Sequence, residues 1–354
     1  MAKAPAPPFS CSYSAQVPEL LNQLGCTVVL STYQAGKVIF LSAKDDEQLV
    51  QLPRTFAHAM AIGINGQRMA IATGGGVVVL ANEPSLSPRY PKQPNTYDSF
   101  FAPRATYYTG HVDIHGLEWG SEGLWAVATS FSCLALVDDS YSFIPKWKPP
   151  FISDLAGEDR CHLNGAVMTG GEPRYATALG RGNEAQSWRK TLPNGGVLMH
   201  VPSGELVMED LPMPHSPRMY DGELYMLLSA TGEIVQVDPG AGSFDTINRI
   251  DGFVRGMARC GDYLFVGRSR LRKNASTFKD LPIAEKAVSS GVSILHRPAG
   301  AVVGTIRFES SVDEIYDVQI LPGMRRPGIL NTDSDMHTRA LTTPTATFWA
   351  TAQE

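Results

Sequence analysis

A loose internal repeat runs through this chain, and a repeat of β-rich units admits few folds. One such unit cannot bury its own apolar face, so successive copies must stack into an array or close into a ring. In one copy Leu124-Trp-Ala-Val-Ala-Thr129 is followed by Leu134-Ala-Leu-Val137 and then Asp138. In another, Leu224-Tyr-Met-Leu-Leu-Ser229 is followed by Ile234-Val-Gln-Val237 and Asp238. Turn residues separate the runs, so each unit reads as three short strands and a more variable fourth. The same ruler fits Met69-Ala-Ile-Ala-Thr73 with Val77-Val-Val-Leu80, Arg174-Tyr-Ala-Thr177 with Gly196-Val-Leu-Met199, and Tyr263-Leu-Phe-Val266 ending at Ser269.

The sixth copy is split. Glu314-Ile-Tyr-Asp-Val-Gln-Ile320 reads as a first strand with no partners after it. The N-terminal runs Thr27-Val-Val-Leu-Ser31, Lys37-Val-Ile-Phe-Leu41 and Gln48-Leu-Val-Gln-Leu52 read as second, third and fourth strands with no first strand before them. A ring closed by strands from both ends accounts for both halves, so the chain is expected to be an all-β, six-bladed β-propeller, with seven blades as the alternative count. Residues 1–26 are expected to form an N-terminal extension, 27–330 the single propeller domain, and 331–354, rich in Thr and Ala, a flexible, loosely packed tail. The strand opening each copy lines the central channel, and as an edge strand it tolerates Pro217.

Three long insertions interrupt the ruler: Glu83 to Thr109, Gly180 to Gly195 with Trp188, and Leu271 to Ser290, where Ile283-Ala-Glu-Lys-Ala-Val288 is expected to be a short helix. Loops of that length in a compact domain often cap or line a site. A net charge of −5 without a long basic stripe argues against nucleic acid as a partner. The densest basic run, Arg268-Ser-Arg-Leu-Arg-Lys273, reads as a solvated loop. Five cysteines, odd in number and without a Cys-x-x-Cys pair, point away from a disulfide framework or a thiolate zinc site and towards a reducing compartment. No apolar stretch has the length of a signal-peptide core or a membrane span, so the expected location is the cytoplasm, with no membrane partner.

Several motifs also carry a resemblance. Thr129-Ser-Phe-Ser-Cys-Leu134, Phe143-Ile-Pro-Lys-Trp-Lys-Pro-Pro-Phe-Ile152, Glu158-Asp-Arg-Cys-His-Leu-Asn-Gly165, Met213-Pro-His-Ser-Pro-Arg218, Gly252-Phe-Val-Arg-Gly256 and Glu314-Ile-Tyr-Asp-Val-Gln319 occur in one order. Together, from about Cys11 to Gly323, they resemble an uncharacterised bacterial family labelled TIGR03032. The resemblance implies a propeller-like fold and no particular activity. Its pattern matches His115, His162, His215 and Arg255, and does not call for histidine at His58.

Three histidines stand where successive copies begin: His115 in Asp113-Ile-His-Gly, His162 in Arg160-Cys-His-Leu-Asn, and His215 in Pro214-His-Ser-Pro. Repeated units place equivalent residues at equivalent points, so three imidazoles in register are expected to converge on the channel as metal ligands, with His58 as a fourth from the preceding copy. Iron or copper suits such a set slightly better than zinc or manganese. His-ligated iron on a propeller axis would resemble carotenoid-cleaving oxygenases, and oxygen-ligated metal the six-bladed lactonases, by architecture alone. Arg255 holds the same repeat position and is expected to bind a substrate carboxylate or phosphate, or to pair with Asp313, Glu314 or Asp317. Arg218 is a second substrate-binding cation. Asn164, two residues after His162, is expected to orient substrate or a ligand, or else to satisfy a backbone group. Cys161, by alternation, packs in the blade. Glu314 and Asp317 are the candidate general bases. The leading expectation is a metal-dependent enzyme, oxidative rather than hydrolytic or lyase-like, acting on a small molecule or peptide. The alternatives are a non-catalytic propeller that binds an anionic small molecule or peptide, and a scaffold using the aromatic residues from Tyr97 to Tyr108 and Trp147.

Overall fold

Antiparallel meanders form wherever the short apolar runs alternate with tight turns, and the computed structural model, which describes residues 6–271 and 277–351, contains six such sheets arranged as a six-bladed β-propeller. Blade 1 is the closure: inner strand Asp317–Pro322 pairs with Cys26–Thr32, followed outwards by Lys37–Ala43 and Leu49–Thr55. The register of the join runs from Cys26 opposite Pro322 to Ser31 opposite Asp317. Blades 2 to 6 follow in chain order, with inner strands Ile62–Asn65, Ile114–Gly120, Leu163–Thr169, Pro214–Tyr220 and Phe253–Cys260. The count is six, not seven.

The hydroxyls that end the second strands explain the repeat's Ser and Thr marks. Ser31 Oγ donates to the Met60 carbonyl, Thr129 Oγ1 to Leu163 (2.6 Å), Ser229 Oγ to Val254 (2.5 Å) and Ser269 Oγ to Ile315 (3.1 Å), each on the next blade's innermost segment. In blade 4 the tie is relayed: Thr177 Oγ1 donates to Asn164 Oδ1, and Asn164 Nδ2 donates to the Pro214 carbonyl. These bonds fix the angular register of the ring. Apolar cores between blades do the rest, as where Val28, Leu30, Phe265, Ile294, Ile315 and Val318 pack together.

Two outer edges are covered, which blunts the aggregation hazard of an open sheet. Cys11–Tyr13 adds a strand outside Ala301–Phe308 of blade 6, and Pro327–Ile329 runs parallel to Ser99–Tyr107 of blade 2. A helix, Val17–Leu24, buries Val17 and Leu21 and stops at left-handed Gly25 (φ 59°). The tail expected to be loose is docked instead. Met336 and Ala340 are buried, Ala340–Thr342 pairs with Thr347–Trp349, and Trp349 packs on Tyr90 and Phe100. Its apolar residues, few but suitably spaced, outweigh the Thr-rich composition.

The Pro- and Tyr-rich insertion contributes a 3-10 turn, Pro84–Arg89, and buries Tyr90 in this same cluster. The second and third insertions meet: Trp188 packs with Leu281, Ile283 and Ala287, and Phe253 is part of the same apolar group. Residues 283–288 form turns rather than the expected helix, bonded from Lys286 N–H to Ile283 C=O and from Val288 N–H to Lys286 C=O. Residues 272 and 273 of the basic run lie outside the described residues. Among those described, no helix is long and apolar enough to cross a membrane.

Candidate functional site

The pairings and hydroxyl ties give a register for the hub. Ile114 pairs with Ala128, Leu163 with Ala178 and Pro214 with Leu228, so these three are equivalent, and the tied carbonyls add Met60, Val254 and Ile315. The residues that follow them form one layer around the axis: Ala61, His115, Asn164, His215, Arg255 and Tyr316. His115, His215 and Arg255 therefore share a layer as the repeat implies. His162 does not. Asn164 takes its place, and His162 stands two residues earlier, level with Asp113, Met213 and Phe253. His162 and Met213 both adopt left-handed backbone, at φ 52° and 59°, as do Asp113 (55°) and His58 (54°), so this conformation marks the approach to four inner strands.

His115 and His215 are held alike. The Nδ1 of His115 lies 3.1 Å from the Asp113 carbonyl, and the Nδ1 of His215 lies 3.1 Å from the Met213 carbonyl. A carbonyl only accepts, so both rings carry hydrogen on Nδ1 and present a bare Nε2 lone pair. Ser229 Oγ, its own hydrogen given to Val254, accepts a second bond from His215 Nδ1 at 2.8 Å. Burial chiefly, and the nearby charge of Arg255 among lesser causes, keep both imidazoles neutral: His115 is pulled down to about 4, and His215 well below its ordinary value.

His162 reaches the same space from above. Its ring lies edge-on to His115 with centroids 4.7 Å apart and tilts over Trp188 at 4.5 Å. Its Nδ1 is 3.0 Å from Asp159 Oδ1, and the Trp188 indole donates to Asp159 Oδ2 at 2.9 Å. Asp159 itself has left-handed backbone (φ 48°), so two left-handed residues three positions apart build this Asp–His pair. The sequence reading missed Asp159 and Tyr316. The first was signalled by an acid three residues before a hub histidine, the second by its place inside the Glu314-Ile-Tyr motif.

Arg255 lies 3.9 Å over the face of Tyr316 and pairs with Glu314, while its Nε and the Tyr316 hydroxyl are buried without a hydrogen-bond partner. Burial raises the Tyr316 phenol well above its ordinary value, so it remains a donor. Arg255 and Glu314 edge a cavity of about 450 Å³. His162, His215, Arg255 and Glu314 form one wall, and Leu179, Met213, Phe253, Leu271 and Phe278 the other. At its rim Arg270 faces Asp313 at 3.5 Å.

Below lies a narrow polar chamber reached by His115, Asn164, Arg218, Tyr316 and Asp317. Asp317, Arg218 and Asn164 there are committed to structure. Asp317 accepts from the backbone N–H of Ile62 (3.0 Å) and of Val318 (2.8 Å), from Gln319 Nε2 and from Arg218. A carboxylate so engaged clamps blades 1, 2 and 5 together and has no capacity left as a general base. Arg218 also donates to the Met257 carbonyl and lies 3.6 Å from Glu118, which makes it an interior tie, not a ligand for substrate. Asn164 has both ends of its amide engaged, as described, and belongs to the same frame. Cys161 is buried in the blade core, as alternation implies.

His58 does not join the set. It is exposed, stacks on Tyr33 with centroids 4.9 Å apart, and borders neither chamber. Among the described residues no three His, Cys, Asp or Glu side chains are spaced to hold one metal ion. The expected four-histidine centre is therefore not assembled: His162 is offset by a layer and His58 lies outside.

No curated protein matches the chain. Among solved structures, a chain from the crystal structure of a nidogen/laminin complex is similar at a TM-score of 0.55 and 9% identity, over 84% of this chain and 99% of that one. At that identity the likeness concerns the propeller fold alone. The family model described as a domain of unknown function, DUF4915, matches residues 15–330, a span that takes in the closure blade, all six inner strands and every group at the hub, and the chain belongs to that family.

Proposed function

We propose that the hub cavity binds a small organic anion, with its charged end on Arg255 and its apolar body against Phe253, Phe278 and Leu271. The carrying observation is a cavity of about 450 Å³ lined by two imidazoles and the Arg255 and Arg270 guanidinia together with the apolar side chains of Leu179, Met213, Phe253, Leu271 and Phe278. Small-molecule sites have this composition: mostly apolar, with a few converging polar groups. Glu314 occupies part of the Arg255 fork, and the unpartnered Nε leaves donor capacity for an anion. The Asp159–His162 pair supplies acid–base capacity, because a carboxylate on Nδ1 fixes the tautomer and leaves Nε2 as the free acceptor. Glu314 is the remaining carboxylate of the candidate pair at this wall.

Calorimetric titration with a panel of aromatic and aliphatic carboxylates tests this reading. Binding should weaken at least about tenfold in Arg255→Gln, the worth of a charge-assisted hydrogen bond. A panel member that binds equally well to wild type and variant would overturn it.

A metal-dependent enzyme is the second reading, favoured by two neutral imidazoles whose Nδ1 atoms are held by carbonyls, an arrangement common among histidine ligands. Iron or copper is the preferred ion, zinc or manganese the other choice. Elemental analysis after growth in supplemented medium decides: a near-stoichiometric metal lost in His115→Ala and His215→Ala supports it, and absence rejects it. The motif likeness supports placing the chain in the bacterial TIGR03032 group, and five free cysteines support a cytoplasmic location.

A further inference from the structure

A second cavity, of about 290 Å³, lies away from the hub, where the outer strands of blade 1 meet the Pro- and Tyr-rich insertion and the chain beyond the closure strand. Arg54, Lys92 and Arg326 all line it, with Tyr90, Tyr97 and Gln51, and no carboxylate lines it. Three cations in one groove are notable in a chain with a net charge of −5. Their charges are uncompensated, since no ion pair among the described residues engages any of the three.

Their donors are also partly idle. Arg54 is oriented by bonds from Nε to the Ile329 carbonyl (3.2 Å) and from Nη1 to the Pro53 carbonyl (2.9 Å), which leaves Nη2 available. The Nε of Arg326 is buried with no partner. Asp98, which precedes the blade 2 strand here, accepts from the backbone N–H of Arg325 (2.6 Å) and of Arg326 (3.0 Å), so it positions Arg326 without pairing with its guanidinium. Tyr97 is held by its hydroxyl, which donates to Gln93 at 2.9 Å, and lies 5.9 Å from Tyr90 between ring centroids. The free Nη2 of Arg54, the Arg326 guanidinium and the Lys92 ammonium line one space and suit the three oxygens of a phosphoryl group, and two tyrosine rings give an attached aromatic body a surface.

We infer that this groove binds the phosphate group of a small phosphomonoester, at a site separate from the hub. Calorimetry at low salt with inorganic phosphate and with phenyl phosphate tests it on the full chain. Both probes should bind, phenyl phosphate more tightly, and affinity should fall as salt rises. The double variant K92A/R326Q should weaken both by at least about tenfold. Lys92 is exposed, so K92A alone keeps the fold and should weaken phosphate several-fold. Failure of both probes to bind at millimolar concentration, or equal binding to wild type and K92A/R326Q, would overturn the site. Loss in Arg255→Gln with retention in K92A/R326Q would assign the phosphate to the hub instead.

Discussion

Replacing His115 by asparagine isolates the cost of hiding an imidazole at the hub, and asparagine is the residue the fold itself uses at the equivalent position of blade 4, Asn164. In the unfolded chain the ring titrates near 6.5. In the folded protein burial, opposed by Asp113 and reinforced by His162 and Arg255, draws it to about 4. Between those values the unfolded chain carries a proton that the folded one does not. The associated stability is thus complete above pH 6.5 and drains away as the pH falls towards 4. The gap of about 2.5 units (6.5 − 4) corresponds to about 3 kcal/mol in full, of which about 2 kcal/mol is gone by pH 5. Urea unfolding of both proteins, followed by tryptophan fluorescence at pH 8, 7, 6 and 5, measures it. His215 titrates in the same direction in both and cancels on subtraction. Wild type should lose about 2 kcal/mol more than His115→Asn between pH 8 and pH 5. Parallel loss in the two proteins would refute the claim that burial holds this ring neutral.

Asn164→Ala strips the Pro214 carbonyl and the Thr177 hydroxyl of a partner in the interior, so it should cost about 2–3 kcal/mol by urea unfolding while hub-ligand affinity stays within about twofold. Ending the chain at Leu330 uncovers Tyr90 and Phe100, which should lower the thermal midpoint by several degrees and raise binding of a hydrophobic dye. Among the thiols, a hydrogen bond from Cys26 lowers Cys260, whereas burial pushes Cys133 and Cys161 up to about 12 and also raises Cys11. Alkylation mapped by mass spectrometry at pH 8 should therefore reach Cys260 first, and prior labelling of Cys11 would contradict that order.

The blades and their closure were legible because period-two apolar runs and turn residues are local signals. The Ser and Thr marks at Ser31, Thr129, Ser229 and Ser269 were legible for a deeper reason: each is needed to tie its blade to the next. The register of His162 was not. Alignment on the histidines assumes that each sits the same distance from its strand, but the true marker is the left-handed residue before the strand, and φ leaves no trace in residue type when Asp113, His162 and Met213 all adopt it. A bulge between Leu163 and Gly165 shifts the pairing further. Asp317 misled for a different cause. A carboxylate near a channel resembles a base in sequence, and only the fold brings the Ile62 and Val318 N–H groups to it. The third insertion was read as helical from composition, yet Ile283 and Ala287 are recruited into the apolar roof with Trp188 and Phe253, and packing overrides propensity.

The hub divides its polar groups by depth, and the division argues for a ligand. In the lower chamber Arg218 is enclosed by Asp317 and Glu118; burial, which would lower the guanidinium, is outweighed by the two carboxylates, and burial raises Glu118 against the opposing pull of Arg218. Every charge there has an opposite neighbour and the inner strands are fixed by them. In the layer of His115 and Asn164 the pattern reverses at two groups: the Tyr316 hydroxyl and Arg255 Nε are buried without partners, with the guanidinium stacked on the Tyr316 ring and His115 edge-on to it. Each unpaired buried donor costs about 1–3 kcal/mol. A fold that satisfies Asn164, Asp317 and Arg218 so fully has no structural reason to leave these two neighbouring groups unsatisfied. A hydroxy- or amino-carboxylate in the cavity of about 450 Å³ can accept from the Arg255 guanidinium while donating to the His215 Nε2, two groups that line it.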